Sequence, residues 1–547
     1  MNQLLDRLKS WLGPLILVLA AAAAYAKIFY DHATYNPPEV ATLRLCHWQL
    51  EPGFRESIDE LIKRYEELYF QRTGKRINLV QIPINGRVYP QYVNCGLIGG
   101  VAPDLIQMGR GDTTINPSYI ARFFEPITDP LMEPNPYNAG ASLADVPWKQ
   151  TFFDDMRGNY EPTLLQYYAA PFTRSSLRFF YNKDLFRTIT GHDNPPSTFA
   201  DLQEFFRKVE AYNLLHGARI SPISGSAYQL SQLSQTLGLP FRADLVLEHD
   251  MNFDGRVDKL EAFLAYRKGG WDFSSPALEA MLRCLTEVAS QFQPGWQAAL
   301  RDDALFNFLQ QRSVMITSGS WDAVVIPRLS EGKFEVGVFA TPVPMDHPEY
   351  GRYVRGPRNE AGTPGGIGFG INARSPHKEI AMDFTRFCTS QAQNEWFCSE
   401  MGWTPVVKGA KASEAVIPFQ PITEGFSGEF DMDLSPEVAL KGGGMRVSVI
   451  AGRVPVEEYS SEMNRVLERT AEDGFERTLQ QNADRIRNTQ RLFAGSLAAS
   501  VFCDESAPSR KKIEERATAL LLDEHRDAVF RTLGAAGSPE PAKEDVE

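Results

Sequence analysis

Between Leu43 and Gly109 the apolar residues alternate between the period of a strand and the period of a helix. Leu43 to Trp48 is short and apolar, as a buried strand should be. Phe54, Ile58, Leu61, Ile62, Tyr65, Leu68 and Tyr69 then recur at helical spacing until Thr73-Gly74-Lys75 stops them. Ile77 to Ile82 is a second strand, a helix-like segment surrounds Tyr92, and Pro103 to Gly109 is a third strand. A β-α-β-α-β order implies a parallel sheet with crossover helices. Ligands of such sheets bind beyond the carboxyl ends of the strands. Those ends carry Trp48 and Gln49, and Gly109 and Arg110.

A second organised stretch starts at Ala169. Leu177 to Tyr181 is apolar and aromatic, and Asn182-Lys183-Asp184 turns it. Pro195-Pro196 halts the chain. Thr198 is placed to cap a helix, with Asp201 three positions on, and Phe199, Leu202, Phe205, Phe206 and Val209 fall on one face of it. A strand around Ile220 leads to Ser224-Gly225-Ser226. A long helical region runs from about 276 to 309. Ser313 to Ile316 is an apolar strand ending in Ser318-Gly319-Ser320-Trp321, and Phe334 to Phe339 alternates like an exposed strand. Gly365-Gly366-Ile367-Gly368-Phe369-Gly370-Ile371-Asn372 precedes Ser375-Pro376-His377-Lys378 and a helix bearing Phe384 and Phe387. The spacing of those glycines is not that of a dinucleotide site.

These segments resemble the extracellular solute-binding proteins of ABC importers, the sugar-binding family that includes maltose-binding protein. The family has a Tyr-Asn-Lys-Asp-Leu turn, a Pro-Pro-x-Thr helix start, a Gly-rich strand before Asn and a Ser-Pro-x-Lys helix. All four stand here at 181–185, 195–198, 365–372 and 375–378, and Gly402-Trp403-Thr404-Pro405 resembles the family's next helix end. The resemblance covers roughly residues 42 to 490. It implies an α/β chain with the two-lobe periplasmic-binding-protein fold of type II, its lobes hinged around a ligand cleft. The first lobe would hold 42–170 and 362–410, and the second 171–345 and 411–490. Further helices at 491–533 and a disordered tail at 534–547 lie beyond what the family needs. The resemblance also implies a monomer that binds a carbohydrate and delivers it to the permease subunits of an importer in the membrane. In the family, a Trp corresponding to Trp321 lies in the cleft.

The first thirty residues fit that expectation. Arg7 and Lys9 precede an apolar run from Trp11 to Ala26 that ends Ala24-Tyr25-Ala26. This is the order of a secretory signal; Ile28, Phe29 and Tyr30 could instead extend it into a retained inner-membrane anchor, and a buried helix is the third option. The first two export the chain to a periplasmic or other extracytoplasmic compartment. Six cysteines are scattered without metal-like spacing. In an exported chain Cys46 could pair with Cys95; buried free thiols are the alternative.

The sharpest local motif is Asp250-Met251-Asn252-Phe253-Asp254-Gly255-Arg256-Val257-Asp258-Lys259-Leu260-Glu261, which has the order of an EF-hand loop. Asp250, Asn252 and Asp254 would give side-chain oxygens to Ca2+, Arg256 its carbonyl, Asp258 a direct or water-mediated contact and Glu261 a bidentate one. The alternative is an Asx-rich turn without metal.

The candidate ligand contacts are aromatic residues at expected strand ends (Trp48, Tyr181, Trp271, Trp321 and Trp403) with polar partners Gln49, Arg110, Ser224, Ser318, Gly365 and Gly366. Sugars present apolar C–H faces ringed by hydroxyls, so they need flat aromatic surfaces and directed polar groups. Core packing is the competing reading for each Trp. The net charge of −13 argues against a nucleic-acid partner. There is no G-x-S-x-G, no H-E-x-x-H and no Walker motif. A secreted calcium-dependent glycan-processing enzyme and a membrane-anchored sugar sensor remain as other readings.

Overall fold

The computed structural model describes residues 40–500 and 507–535, apart from positions 111, 141, 162, 163, 165, 362, 364, 427 and 428, together with Val18, Ala21, Ala22, Ala23, Tyr25, Ala26 and Lys27. Most of the apolar run that carries the export reading lies outside the described residues, as do Cys503 and positions 536–547. Among the described residues no helix is long and apolar enough to cross a membrane.

The elements that position the site follow in chain order. The strands are β1 (Ala41–His47), β2 (Ile77–Pro83), β3 (Leu105–Gln107), β4 (Ala169–Arg174), β5 (Leu177–Asn182), β6 (Ser221–Ser224), β7 (Ser313–Gly319), β8 (Val336–Phe339) and β9 (Gly366–Asn372). The helices are α1 (Phe54–Thr73), α2 (Tyr89–Gly99), α3 (Phe199–His216), α4 (Lys259–Arg267), α5 (Pro276–Ala289), α6 (Arg301–Leu309), α7 (Lys378–Cys388), α8 (Pro436–Ile450), α9 (Val456–Ser500) and α10 (Ala507–Ala535).

The chain divides into two compact units. Unit 1 comprises 1–173, 365–401 and 405–411; unit 2 comprises 174–364, 402–404 and 412–547. Unit 1 is built on a seven-stranded sheet in which β1 lies between β2 and β3, and β9 lies between β3 and β4. β1 runs parallel to both β2 and β3, as the β-α-β-α-β order requires, whereas β9 is antiparallel to β3 and β4. Phe54, Ile58, Leu61 and Tyr65 of α1 are buried, which is the face the helical period marks. The Pro- and Asn-rich stretch from 126 to 165 carries fully buried Trp148 and Phe152. The indole Nε1 of Trp148 donates to Thr389 Oγ1 at 3.0 Å, so burying its polar end leaves no donor unsatisfied.

Unit 2 holds a four-stranded sheet ordered β8-β5-β7-β6. Here β5 is antiparallel to both neighbours, while β6 and β7 are parallel. Thr198 caps α3 and Asp201 closes the capping box; Phe199, Leu202, Phe205, Phe206 and Val209 are buried as their period foretells. At about 1.5–3 kcal/mol for each large apolar side chain, that face holds the helix on the sheet. Arg178 of β5 is buried and paired with Glu360 at 3.0 Å, and its guanidinium also donates to the carbonyls of Pro418 (3.0 Å) and Gln420 (2.7 Å). Removing either partner would leave a buried charge, which costs far more than an exposed pair contributes.

One helical expectation changes. The region 276–309 is not one helix but α5 and α6, broken around Pro294 and Gly295, whose φ is +81°. Residues 456–487 belong to the single 45-residue α9. α10 returns against α4: Arg267 of α4 donates to the carbonyls of Gly534 (2.6 Å) and Leu533, and Phe263 stacks on Phe475 of α9 at 4.2 Å. Cys46 and Cys95 are both free, one buried and one exposed, so the guessed disulfide is absent.

Candidate functional site

In unit 1, β1 delivers Trp48 to the carboxyl end of the sheet, half-buried. Its main-chain N–H donates to Gln107 Oε1 at 3.2 Å, and its indole meets the Tyr89 ring edge-on at 4.9 Å. Tyr89 in turn donates to the Gln107 carbonyl at 2.8 Å, and Cys46 Sγ lies 3.6 Å from its hydroxyl. Burial pushes the Cys46 thiol up to about 12 and raises the Tyr89 phenol, so both stay neutral at ordinary pH. Arg110 is exposed, with its guanidinium carbon 5.9 Å from the Trp48 ring centroid. Thr114 holds its backbone from both sides: Arg110 N–H donates to Thr114 Oγ1 at 3.0 Å, and that hydroxyl donates to the Arg110 carbonyl at 2.9 Å. Gly86 faces the guanidinium so closely that a Cβ there would lie 2.9 Å from Arg110 Nη1. Gln49 is buried.

In unit 2, the parallel register Ser313↔Ser221 and Ile316↔Ser224 brings the carboxyl ends of β6 and β7 together. After β6, Ser226 caps the helix Ala227–Leu233 by accepting from Tyr228 N–H at 3.1 Å. After β7, a turn at Ser320–Asp322 presents Trp321, half-buried. Its indole lies on the strand backbone at Gly319, where a Cβ would come within 2.2 Å of the ring; no other residue leaves that room. Arg301, in the first turn of α6, donates to both oxygens of Asp322 at 3.0 Å and sits 5.7 Å from the Tyr228 ring centroid. Ser318 donates its hydroxyl to the same carboxylate, and Trp403 donates Nε1 to the Trp321 carbonyl at 3.2 Å. The cluster is an indole and a phenol with an arginine beside them, anchored on a buried Asp322.

Not every residue singled out in the sequence reaches these clusters. Tyr181 pairs with Met315 near the start of β7, because β5 runs antiparallel to it; it therefore lies at the opposite end of the sheet from Trp321. Its ring packs on Phe186 and Phe339 in the core. Trp271 is also a core residue: its ring lies against Phe430 and Phe273, and its Nε1 donates to the Ala262 carbonyl at 2.7 Å. Ser224 is fully buried, with its hydroxyl engaged by the Ala304 carbonyl and by Asn307. Gly365 donates its N–H to Asn159 at 3.0 Å, and Gly366 pairs with Thr173 in the unit 1 sheet. Tyr89, Tyr228, Arg301 and Asp322 were not legible as site residues. The signal for Tyr228 was its place two residues after Ser226, and for Asp322 its place beside Trp321.

The loop at 250–261 is in unit 2. Asp250 accepts from Gly255 N–H at 2.7 Å, Asn252 from Asp254 N–H at 2.9 Å and Asp254 from Arg256 N–H at 2.9 Å. Gly255 adopts φ +83°, the left-handed turn the motif's glycine provides. Glu261 is buried and accepts from Met251 and Asp258 N–H, closing a capping box on α4. Arg526 of α10 donates to Asp258 at 2.7 Å and approaches Glu261 at 3.9 Å. The donors are the hard oxygens a Ca2+ ion takes. They are not gathered: among the described residues no three His, Cys, Asp or Glu side chains come together closely enough to hold a metal. Burial, with the Asp258 charge adding to it, raises the Glu261 carboxyl to about 7.

Residues 124–418 match the sequence profile of the family described as bacterial extracellular solute-binding protein. The chain is 24% identical over 268 residues to the multiple sugar-binding protein of Streptococcus mutans serotype c, a match that covers 47% of this chain and only 55% of that relative. Among solved structures, the fold is similar to that of a chitin oligosaccharide binding protein (TM-score 0.55, 16% identity, 79% of this chain and 99% of that one). It is also similar to T. maritima MalE3 bound to maltose (TM-score 0.51, 17% identity, 78% and 100%). At such identities the structural likeness speaks for the fold, a two-lobe α/β architecture, and not for the ligand.

Proposed function

Because the chain belongs to the bacterial extracellular solute-binding proteins, we propose that it captures a carbohydrate outside the cytoplasm and delivers it to the permease of an ABC importer. The observation that carries this reading is the cluster after β6 and β7. Trp321 lies flat on a glycine with Tyr228 and Arg301 beside it, at the strand ends where open α/β sheets take ligands. An indole gives a flat apolar surface for a sugar's C–H face, and the arginine gives directed donors for its hydroxyls. Trp48 and Arg110 offer the same pairing in unit 1. The relatives' descriptions as sugar, chitin-oligosaccharide and maltose binders support the same class of solute.

The chemistry is binding and release, with no bond made or broken. A solute shifts a conformational balance only by its differential affinity for the two states, so capture stays reversible. We further propose that Ca2+ binds the 250–261 loop, held by Asp250, Asn252, Asp254, the Arg256 carbonyl, Asp258 and Glu261; the order of the donors supports this. A thermal-shift screen of the purified protein against a glycan panel tests the main reading. At least one oligosaccharide should raise the unfolding midpoint in a concentration-dependent way. A panel of sugars without effect, with an amino acid or peptide binding instead, would refute it.

A further inference from the structure

The two strand-end clusters each contain an arginine, and the two are in different electrostatic states. Arg301 is neutralised: it donates to both oxygens of the buried Asp322 carboxylate. Among the described residues Arg110 makes no ion pair. It is nonetheless held in place. Thr114 fixes its backbone from both sides, Trp48 lies 5.9 Å from its guanidinium carbon, and Gly86 leaves room that any side chain would fill. Packing beside an indole restricts an arginine's rotamers, and among the described residues no ion pair offsets that cost.

Gln107, whose side chain meets Trp48, is already engaged. Gln107 Oε1 accepts from Trp48 N–H, and the Gln107 carbonyl accepts from Tyr89. This end of the sheet offers a ligand the Trp48 indole and the exposed Arg110 guanidinium. We propose that the solute carries a carboxylate and that Arg110 receives it, so that the ligand is an acidic carbohydrate of the uronic-acid class. This rests on the carbohydrate reading above and narrows it. A guanidinium fork matches a planar carboxylate with two parallel N–H···O bonds, and such charge-assisted bonds are roughly twice as strong as those to a neutral hydroxyl. The chain's net charge of −13 does not oppose the pairing. Exposed charges beyond about 8 Å are screened at physiological salt, whereas a contact pair is not.

The test is titration calorimetry at pH 7 with galacturonic, glucuronic and mannuronic acid trisaccharides, their methyl esters and the corresponding neutral trisaccharides. At least one acid should bind about 10- to 100-fold more tightly than its ester, the range expected for a bidentate charge-assisted contact. Arg110→Gln should abolish that preference by lowering acid affinity at least about tenfold more than ester affinity, and Arg110→Lys should restore only part of it. Circular dichroism on each variant checks the fold. Esters or neutral trisaccharides binding as tightly as the acids would overturn the proposal and leave the carbohydrate reading intact. So would an equal loss for acid and ester in Arg110→Gln. No binding by any trisaccharide, acid or neutral, would overturn both.

Discussion

The strand ends of the two units use the same residue types differently. In unit 2, Trp321 rests on Gly319, and Arg301 is locked on Asp322, which also takes the Ser318 hydroxyl. In unit 1, the Arg110 guanidinium carbon lies 5.9 Å from the Trp48 ring centroid, and among the described residues Arg110 makes no ion pair. The unit 2 cluster is rigid and internally neutral, suited to stacking; the unit 1 cluster keeps a charge in reserve. An aromatic beside an arginine is thus not one kind of site, since the third residue, Asp322 or its absence, decides whether the arginine can meet an anion.

The comparison can be broken most severely at Trp321. Trp321→Ala removes a stacking surface and its burial, together about 2–3 kcal/mol, so solute affinity should fall about 30- to 150-fold in calorimetry. The circular dichroism spectrum should not change, because the indole is only half-buried. If the variant unfolds instead, the indole is part of the core and the unit 2 cluster is not a stacking site.

Next in size is Asp322→Ala, which makes unit 2 resemble unit 1. The buried Ser318 hydroxyl loses its acceptor and Arg301 loses the Asp322 carboxylate. Urea denaturation should show a loss of about 2 kcal/mol. An unchanged midpoint would mean that the Arg301–Asp322 pair is not what stiffens this cluster.

The acidic loop is a control apart from both clusters. Calcium at ten times its dissociation constant should stabilise the protein by about 1.4 kcal/mol in differential scanning fluorimetry, with no change in sugar affinity. Glu261→Ala should abolish the effect, and an equal response in that variant would refute the assignment. The pH dependence has a definite sign. The folded Glu261 carboxyl lies at about 7, above the unfolded value of about 4.3. Its neutral form therefore contributes stability fully below the unfolded value, and that contribution is lost as pH rises through about 7. Calcium needs the carboxylate, so its stabilising effect should be larger at pH 8 than at pH 6.

The smallest change is Gly86→Ala. The added Cβ meets only the far end of the Arg110 side chain, so stability should move by less than about 0.5 kcal/mol. The displaced guanidinium should lower acid-trisaccharide affinity a few-fold while leaving ester affinity alone. An unchanged acid affinity would mean that the charge of Arg110 matters and its position does not.

Much of this was legible in the sequence because it depends on neighbours along the chain. The strand–helix alternation from Leu43 to Gln107, the Thr198–Asp201 capping box and the buried face of α3 are all set by residues a few positions apart. Strand direction and depth of burial depend on partners far away in sequence. Nothing near Tyr181 shows that β5 pairs antiparallel with a strand more than a hundred residues later, which puts its phenol at the far end of the sheet from Trp321. Trp271 and Trp321 are the same side chain after similar small-residue turns, yet one is walled in by Phe430 and Phe273 while the other lies open on Gly319. Periodicity and capping act over one or two turns of chain, so the sequence alone determined the elements. Packing is close and long-range, so only the tertiary structure decided which aromatics and charges remained available to a ligand.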